Sequence, residues 1–355
     1  MGFLPITKKD MTELGWDAPD FVLVSGDAYI DHPSFGTAII GRFLESCGFR
    51  VAVLSQPNTK DTAAFTVFGR PKLAFLVTSG NVDSMVAHYT VNRRKRHDDP
   101  FTPGNKNGKR PDRAVTVYCR KIREAYGAVN IIIGGLEASL RRAAHYYYWA
   151  DQVLPSILAD SNADILVYGM GERAIREIAF RLNDGECIGA ISDVRGTAFV
   201  TDEISWLKED DCETLPSYEK VAKDKKAYAQ MTAAIMAQSD PIKGRMLIQK
   251  TGGAYIVINP PALPLNQREL DEVYDLPYEY AYPAVYDDMG GVKALTEVKF
   301  SLTHNRGCFG NCNFCSIALH QGRFVVGRSH GSVLAEAKRM TEMKDFKGYL
   351  HDVGG

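Results

Sequence analysis

The sequence contains no long hydrophobic run, almost no net charge and few cysteines for its length. Its purely apolar runs, such as Ile131–Ile133, are far shorter than the about 20 residues that a membrane-spanning helix needs. A net charge of −1 gives no overall attraction to nucleic acid or to a membrane surface. Seven cysteines, an odd number in 355 residues, argue against a disulfide framework and indicate a reducing compartment. Because no apolar segment near the N-terminus could serve as a signal peptide, we expect a cytoplasmic protein without a membrane partner.

What the sequence does have is the composition of a folded protein large enough for two domains. Hydrophobic residues make up 45% and charged residues 24% of the 355 positions. Strands are predicted at residues 21–24, 51–54, 73–77, 129–133 and 164–168, and helices at residues 35–47, 115–126 and 136–148. This alternation predicts an α/β fold with a doubly wound parallel sheet, whose ligand-binding loops follow the strands.

One short segment places three cysteines in a C-x3-C-x2-C spacing. Cys308, Cys312 and Cys315 lie within eight residues, and Gly307 and Gly310 allow the loop to turn sharply. Three thiolates on a [4Fe-4S] cluster would leave the fourth iron without a protein ligand, whereas electron-transfer clusters are usually held by four. The spacing therefore predicts a cluster with one open iron, which a small molecule can coordinate.

Other interpretations of this segment stay open on the residues alone. Zinc prefers four ligands, and His304 or His320 could supply the fourth, although the paired spacings typical of zinc sites are absent. A disulfide is disfavoured by the odd number of thinly spread cysteines. A chance cluster of buried thiols is disfavoured by the glycine and polar residues around them. The iron–sulfur cluster is the favoured interpretation.

The regular alternation ends after residue 191, and the pattern then changes twice. The chain first becomes charged and helix-prone, as in a helical bridge, and then rich in tyrosine and proline. Further elements are predicted as a strand at 253–258, a strand at 298–302, a helix at 332–341 and a strand at 348–353. We therefore expect a domain at residues 1–200, a helical and proline- and aromatic-rich linker region at 201–290, and the first part of a second domain at 291–355.

A basic segment interrupts the first domain at residues 92–113. It contains eight arginines and lysines, three prolines and two glycines, and is too polar for a core and too long for a simple connection. Residues 93–113 could contact the phosphates of a nucleic acid. Three aspartates partly balance the charge and no exposed aromatic residues are interleaved, so a solvated face is favoured. Four consecutive aromatics at 146–149 could pack on the sheet or form a substrate surface, and the sequence does not decide between the two.

The cysteine segment resembles the radical S-adenosylmethionine (SAM) superfamily. Cys308, Cys312, Phe314 and Cys315 match its C-x3-C-x-aromatic-C signature position for position. Along nearly its whole length the chain also resembles the YgiQ family of radical SAM proteins. The matching segments are Arg110–Ala114, Ile122–Ala125, Gly134–Arg142, Tyr168–Ala174, Leu276–Tyr278 and Arg306–Gly310.

This resemblance implies a fold and a chemistry. The fold would be a cobalamin-binding-like, Rossmann-type domain followed by the beginning of a radical SAM (β/α) barrel, which is truncated here. The three cysteines would bind three irons of a [4Fe-4S] cluster, and the fourth iron would chelate SAM. Reductive cleavage of SAM would then yield a 5′-deoxyadenosyl radical that acts on an undefined substrate. An electron donor such as flavodoxin or ferredoxin would be a partner.

The resemblance also implies cofactor contacts for three residues. An aromatic at the position of Phe314 packs near the adenine of SAM, with packing under the cluster as the alternative. Gly354 and Gly355 lie where a Gly-Gly-Glu-like motif, whose backbone meets the amino group of SAM, would start.

Two glycine-rich loops, at 133–139 and 167–172, resemble those of cobalamin-binding-like domains, with plain strand-to-helix turns as the alternative. The D-x-H-x2-G motif that supplies a cobalt ligand in such domains is not matched, because Asp31 adjoins His32 and Gly36 lies one residue too far away. We expect His32 to be a polar residue at a helix start, and the two aspartates of this loop could cap that helix. Cobalamin is possible but unassigned.

The sequence thus favours a radical SAM enzyme of undefined substrate. The narrower alternative is a cobalamin-dependent radical SAM methyltransferase. The alternative from another class is a nucleic-acid-binding module with a structural cluster or zinc. Because the chain ends early in the barrel, it could be inactive by itself.

Overall fold

The computed structural model of the protein describes residues 2–310, 312 and 314–354. Within these residues the chain forms fifteen strands and thirteen α-helices. The strands are β1 (Phe21–Ser25), β2 (Val51–Ser55), β3 (Ala74–Thr78), β4 (Ile131–Ile133), β5 (His145–Tyr147), β6 (Gln152–Leu154), β7 (Ile165–Val167), β8 (Thr197–Thr201), β9 (Cys212–Leu215), β10 (Met246–Thr251), β11 (Ala254–Ile258), β12 (Ser301–Thr303), β13 (Asn305–Arg306), β14 (Val326–Gly327) and β15 (Asp352–Gly354). The helices are α1 (Lys8–Glu13), α2 (Gly36–Ser46), α3 (Ser84–His88), α4 (Ala114–Tyr126), α5 (Gly135–Leu140), α6 (Ile157–Ser161), α7 (Glu172–Asn183), α8 (Tyr218–Val221), α9 (Lys225–Ala237), α10 (Gln267–Tyr274), α11 (Lys293–Val298), α12 (Ile317–His320) and α13 (His330–Thr341). In this described part of the chain, each helix is too short or too polar to cross a membrane.

The largest sheet has nine strands in the order β2-β1-β3-β4-β7-β8-β11-β10-β9. Its first five strands run parallel, since β1 pairs with β2 and β3, β3 with β4, and β4 with β7. Apart from the separate β5–β6 hairpin, these strands follow the 2-1-3-4-5 order of a flavodoxin-like, doubly wound sheet. All five correspond to predicted strands, and the predicted α/β fold is confirmed.

Apolar layers cover both faces of the parallel strands. Phe21 and Leu23 of β1 pack in one cluster with α2 and α7, whereas Val22 and Val24 pack in another with α4 and α6. Successive strand residues point to opposite faces, so a strand covered on both sides must be apolar throughout. This explains the unbroken hydrophobic runs from which the strands were predicted.

The middle of the chain extends the same sheet. Strand β8 is antiparallel to β7, β11 is antiparallel to β8, and β10 and β9 complete that edge. Helices α8 and α9 occupy part of the predicted helix-prone segment and pack beside β10 and β9. The region predicted as a linker at 201–290 therefore contributes strands to the sheet, while the bounds of the three predicted regions stay predictions.

Three predicted elements differ from the structure, and one of them is the strand predicted at 348–353, which begins only at Asp352. The helix predicted at 136–148 ends at Leu140, and residues 145–147 form β5, which pairs antiparallel with β6. Aromatic residues fit a pleated strand well, and the N–H of Ala144 donates to Gln249 Oε1 at 2.7 Å instead of to a helical carbonyl. The strand predicted at 298–302 begins only at Ser301, because Val298 ends α11 and the next two residues form a turn.

A second unit begins after this sheet. Strands β12 and β15 pair in parallel, and α13 lies between them in the chain. Met340 of α13 packs in the same apolar cluster as α2 and α7, so the unit rests on that face of the sheet. Strand, cysteine segment, helix and parallel strand follow one another as expected for the beginning of a radical SAM (β/α) barrel.

Candidate functional site

A cavity of about 510 Å³ lies at the carboxyl edge of the parallel strands. This is the edge at which open parallel sheets bind ligands, and the volume is that of a small-molecule site. We call one side the sheet wall, lined by residues from 76–81, 132–136 and 167–172. The other side is the loop wall, lined by residues from 303–306 and 316–321.

Two loops of the sheet wall contain glycines in backbone conformations, and in close contacts, that other residues would not tolerate. Gly135 begins α5 with a φ of +82°, and a Cβ there would lie 2.4 Å from Thr78 Oγ1. Gly169 has a φ of +75°, and a Cβ there would lie 3.3 Å from the carbonyl oxygen of His320 on the loop wall. The two glycine-rich loops singled out in the sequence therefore form neighbouring parts of one wall.

Arg306 joins the loop wall to the sheet wall. Its Nη1 pairs with a carboxylate oxygen of Glu172, and its Nε donates to the hydroxyl of Tyr274 at 3.1 Å. The guanidinium also lies 5.1 Å from the centre of the Tyr274 ring, and all three side chains are buried. Burial alone would lower the pKa of Arg306, but the charges of Glu172 and Tyr274 and the hydrogen bonds to both residues together outweigh burial and raise the pKa. The guanidinium therefore stays charged inside the protein.

This ion pair leaves two buried polar atoms without a partner. Oε2 of Glu172 and Nη2 of Arg306 make no hydrogen bond to any residue that the structure describes. Both residues line the cavity. A buried polar atom left unpaired costs about 1–3 kcal/mol. A ligand that accepts from the guanidinium and donates to the carboxylate would satisfy both atoms.

His320 makes a second contact between the walls. Its Nδ1 lies 3.1 Å from Ser139 Oγ, which in turn accepts from the N–H of Gly169 at 3.2 Å. Burial, and after it the charge of Arg142, lower the pKa of His320 to about 4, although the charge of Glu172 opposes both. The imidazole is therefore neutral near pH 7 and acts as a hydrogen-bonding group.

The three predicted cluster ligands lie in the loop between the two halves of the loop wall. The N–H of Cys308 donates to Gly322 at 3.0 Å, and the N–H of Cys315 donates to the carbonyl of Cys312 at 3.1 Å. A Cβ placed on Gly310 would lie 3.3 Å from Cys308 Sγ and 3.7 Å from Cys312 Sγ, so these two sulfurs flank the glycine. Among the described residues no three metal-binding side chains are grouped closely enough to hold a metal ion. The assignment of all three cysteines as ligands stays a prediction.

The zinc alternative would need a histidine beside the cysteines. His304 is exposed, and the Nδ1 of His320 faces Ser139. In the described part of the chain neither imidazole is grouped with the three thiols.

The predicted SAM contacts differ in their surroundings. The Phe314 side chain is 92% exposed and is not packed in the core. Gly354 ends β15, where it pairs with Thr303, and its carbonyl accepts from the N–H of His304 at 2.7 Å. Gly354 therefore lies where the chain leaves β12 for the cysteine loop, whereas Gly355 is outside the described residues. All three assignments stay predictions.

His32 does not line the cavity. Its Nδ1 accepts from the N–H of Ser34 at 3.0 Å, and its ring packs edge-on against Tyr280 with centroids 5.0 Å apart. Burial lowers the pKa of His32 to about 3. Because α2 begins at Gly36, His32 lies just before the start of a helix, which is the position expected for it.

The expectation that the aspartates of this loop cap α2 is wrong. The N-cap of α2 is Phe35, which makes no side-chain cap. Asp31 instead binds Nε of the buried Arg42 at 3.1 Å, and Asp27 binds the buried Arg110 at 2.7 Å. A buried guanidinium needs a carboxylate partner more than a helix end does. Arg110, counted in the sequence among the possible phosphate contacts, therefore belongs to the core.

Sequence reasoning found the loops of the site and missed the contact between them. Glu172 ends one glycine-rich loop and Arg306 precedes the first cysteine, but no spacing rule pairs two residues so far apart. The available signal was a charged side chain inside each motif. Tyr274 gave no signal of its own, because it lies in a tyrosine-rich stretch of the chain.

The chain matches the family model described as Radical SAM N-terminal over residues 3–301. A UPF0313 protein of Clostridium botulinum (strain Kyoto / Type A2) is 54% identical over 355 residues, covering 100% of this chain and 55% of that protein. A UPF0313 protein of Clostridium perfringens (strain 13 / Type A) is 52% identical over 353 residues, covering 99% of this chain and 53% of that protein. The chain therefore spans about half the length of the curated relatives it matches. Among solved structures, the radical SAM methyltransferase TsrM from Kitasatospora setae, with cobalamin and a [4Fe-4S] cluster bound, aligns over 91% of this chain and 46% of its own with a TM-score of 0.49 and 15% identity.

The family match covers the sheet wall completely and reaches the first strand of the second unit, at residue 301. The similarity to the clostridial proteins continues through the cysteine loop to the last residues of the chain. The resemblance drawn from the residues is thereby confirmed, and the chain belongs to the YgiQ (UPF0313) family of radical SAM proteins.

Proposed function

We propose that the protein is a radical SAM enzyme whose cysteine loop holds a [4Fe-4S] cluster beside the cavity. The observation that carries this proposal is the position of the loop. Arg306 and Ser316, on either side of it, both line the cavity. The loop with Cys308, Cys312 and Cys315 therefore leaves the cavity wall and returns to it, next to a space of small-molecule size.

The donor set fits the cluster in its chemistry. The loop offers three thiols, two of which flank Gly310, and soft thiolates favour iron–sulfur clusters. Cys308, Cys312 and Cys315 would hold three irons. When bound, the cluster supplies the electron for reductive cleavage of SAM, and the protein positions the reactants and excludes water.

The residues around the loop would bind and orient the ligands. Arg306 and Glu172 both line the cavity, and each has one buried atom without a hydrogen-bond partner among the described residues, a donor and an acceptor respectively. His320, neutral near pH 7, adds a hydrogen-bonding group without adding charge. Gly354 offers backbone atoms at the start of the loop, and the exposed ring of Phe314 is free to stack on an adenine. The substrate stays undefined.

A cobalamin-dependent methyl transfer is the second candidate, favoured by a cavity at the carboxyl edge of a doubly wound sheet. His32 does not line that cavity, so it does not fit the role of a cobalt ligand, and we derive no step through cobalt. Binding alone tests this candidate. Incubation with hydroxocobalamin followed by gel filtration would leave a red chromophore on the protein if the cavity binds the corrinoid, and none if it does not.

The main test is anaerobic reconstitution of the full-length protein with iron and sulfide, followed by electron paramagnetic resonance of the reduced protein with and without SAM. We expect a [4Fe-4S]⁺ signal that shifts when SAM is added. Serine variants at positions 308, 312 and 315 should each lose most of the bound iron. Cys187→Ser, at an exposed cysteine elsewhere, should bind iron like the unaltered protein. A protein that takes up no iron, or a signal that ignores SAM, would overturn the proposal.

A further inference from the structure

The β5–β6 hairpin and the basic segment meet in one exposed surface. We call it the aromatic–basic surface, formed by Tyr89, Arg93, Arg94, Lys95, Tyr148 and Trp149. We propose that this surface binds single-stranded nucleic acid. The binding is independent of the proposed cluster, and only its use to present a substrate to the cavity rests on the proposed function.

Aromatic rings and a guanidinium lie side by side on this surface. The Arg93 guanidinium lies 4.8 Å from the centre of the Tyr148 ring, whose side chain is 41% exposed. The ring centres of Tyr148 and Trp149 are 5.3 Å apart, and those of Trp149 and Tyr89 are also 5.3 Å apart. Exposed aromatic and guanidinium faces are the platforms on which unpaired bases stack. The basic segment lacks interleaved aromatics in its own sequence, and the fold supplies them from the hairpin at residues 145–154.

The positive charge of this surface is not balanced locally. Arg93, Arg94 and Lys95 are exposed, and among the described residues none of them forms an ion pair with a carboxylate. Asp99 pairs with a buried arginine and does not reach the surface. Asp112 lies at the edge of the surface, where it is hydrogen-bonded to His88 and Tyr89 and not to any of the three cations. Three free cations beside stacking faces complement a phosphate backbone with unpaired bases.

The surface is held in shape by contacts of its own. The hydroxyl of Tyr148 donates to the carbonyl oxygen of Val91 at 2.7 Å, which ties the hairpin to the basic segment. Tyr89 and Lys95 form an antiparallel bridge that closes the turn between them. A surface ordered before binding loses less conformational freedom when it binds.

Both parts of the surface are anchored to the sheet wall. The basic segment follows α3, just after the loop in which Gly80 lines the cavity. The hairpin follows α5, which begins at Gly135 on the same wall. Arg141, at the end of α5, pairs with Asp83 at the start of α3 and fixes the two parts to each other. The surface is thus connected to the sheet wall through α3 and α5, and a nucleic acid bound there would present one of its nucleotides to the cavity as the substrate.

Fluorescence anisotropy with labelled oligo-uridine and oligo-thymidine of about 20 nucleotides tests binding directly. It uses the full-length protein without iron reconstitution. We expect affinity to fall as salt rises from about 50 to 200 mM. The triple variant Arg93→Gln/Arg94→Gln/Lys95→Gln should bind at least about tenfold more weakly, and its slope of log affinity against log salt should be shallower by about 2.

A matched triple variant controls for net charge. Lys223→Gln/Lys225→Gln/Lys226→Gln removes the same charge from exposed positions around the start of α9 and should change affinity by less than about twofold. Equal losses in the two triple variants would overturn the proposal. Binding of anionic phospholipid vesicles without binding of either oligonucleotide would also overturn it.

Two variants of Tyr148 separate the contribution of its aromatic ring from that of its hydrogen bond to Val91. Tyr148→Phe keeps the ring and removes the hydrogen bond to Val91, and it should retain affinity within about threefold. Tyr148→Leu removes the ring and should lose about tenfold. Equal affinities for Tyr148→Leu and the unaltered protein would contradict the stacking role. Oligonucleotide binding by a protein whose paramagnetic signal ignores SAM would leave this surface intact and reject only the enzyme proposal.

Discussion

The two walls of the cavity are built in opposite ways. The sheet wall consists of loops that follow neighbouring parallel strands, so its backbone is fixed by a continuous hydrogen-bonded ladder. The loop wall has only short pairings beside it in the described residues: Thr303 ends the three-residue pairing of β12 with β15, and β13 pairs with β14 over two residues. It is attached to the sheet wall by side chains, chiefly those of Arg306 and His320. One wall is therefore specified by secondary structure, and the other by a few long-range contacts.

This difference suits the proposed chemistry. A loop that must surround a metal cluster needs freedom to place its ligands, and metal binding commonly supplies part of the folding free energy of such a loop. A wall that positions a ligand gains from being fixed in advance. The cysteines belong to the side with few backbone contacts, and the glycine-rich loops belong to the rigid side.

Breaking the ion pair between the walls should have the largest effect. Arg306→Met leaves the carboxylate of Glu172 buried and unpaired, so we expect the free energy of unfolding to fall by about 3–5 kcal/mol. The double variant Arg306→Met/Glu172→Gln should recover part of that loss. Denaturant titration of each protein measures both values.

An exposed ion pair provides the control for that prediction. Arg268 lies 2.9 Å from Glu272, and these side chains are 88% and 62% exposed. Arg268→Met should therefore cost less than about 1 kcal/mol. If Arg306→Met costs no more than Arg268→Met, the buried pair does not hold the walls together.

A methyl group on the rigid wall should have the next largest effect. Gly135→Ala combines a positive φ with a Cβ 2.4 Å from Thr78 Oγ1, so we expect a loss of about 1–3 kcal/mol in the free energy of unfolding. Gly36→Ala, at the start of α2 on the same cavity, meets nothing within 4 Å and should change it by less than about 1 kcal/mol. Thermal or denaturant unfolding measures both changes. Equal losses for Gly135→Ala and Gly36→Ala would mean that the sheet wall tolerates movement at Gly135.

The same contrast explains what the sequence could predict. The strands of the parallel sheet are local apolar runs buried on both faces, so β1 and β3 were found within a residue of their bounds. The ligand-binding loops could be predicted as well, because they are the polar and glycine-rich segments that come directly after these strands in the chain. The cysteine motif was visible because its residues are close together in the chain.

What the sequence could not predict depends on distant partners. Glu172 and Arg306 are 134 residues apart, and no periodicity connects them. The helix expected at 136–148 failed because Gln249, far along the chain, binds the backbone at Ala144. Tyr148 likewise gains its place beside Arg93 only through the turn of the hairpin. Local pattern predicts the rigid wall, and long-range side-chain contacts decide the rest.

The pH dependence of stability should show a smaller effect at the contact between the walls. The pKa of His320 falls from 6.5 to about 4 in the folded protein. Because the unfolded chain binds the proton more readily, the stability from the neutral imidazole is present above pH 6.5 and is lost as pH falls toward 4. The free energy of unfolding should fall by up to about 1.4 kcal/mol per pH unit from this group.

His320→Gln should reduce that slope without abolishing it. His32 and His145, each with a pKa lowered to about 3 mainly by burial, contribute slopes of the same sign. Denaturant titrations between about pH 7 and 5 measure the difference. A slope equal in His320→Gln and the unaltered protein would mean that this imidazole is as accessible in the folded protein as in the unfolded chain.

The smallest effect on stability should come from the cysteine loop itself. Phe314 is 92% exposed, so Phe314→Ala should change the free energy of unfolding by less than about 0.5 kcal/mol. If the ring stacks on the adenine of SAM, the variant should bind its full iron and require about tenfold more SAM to shift the paramagnetic signal, since a stacking contact is worth about 1–3 kcal/mol. If the ring instead packs under the cluster, the iron content should fall and the SAM dependence of the remaining signal should not change. Phe309→Ala, 83% exposed in the same loop, should leave both measurements as they are, which separates the loss of a specific contact from a general loosening of the loop.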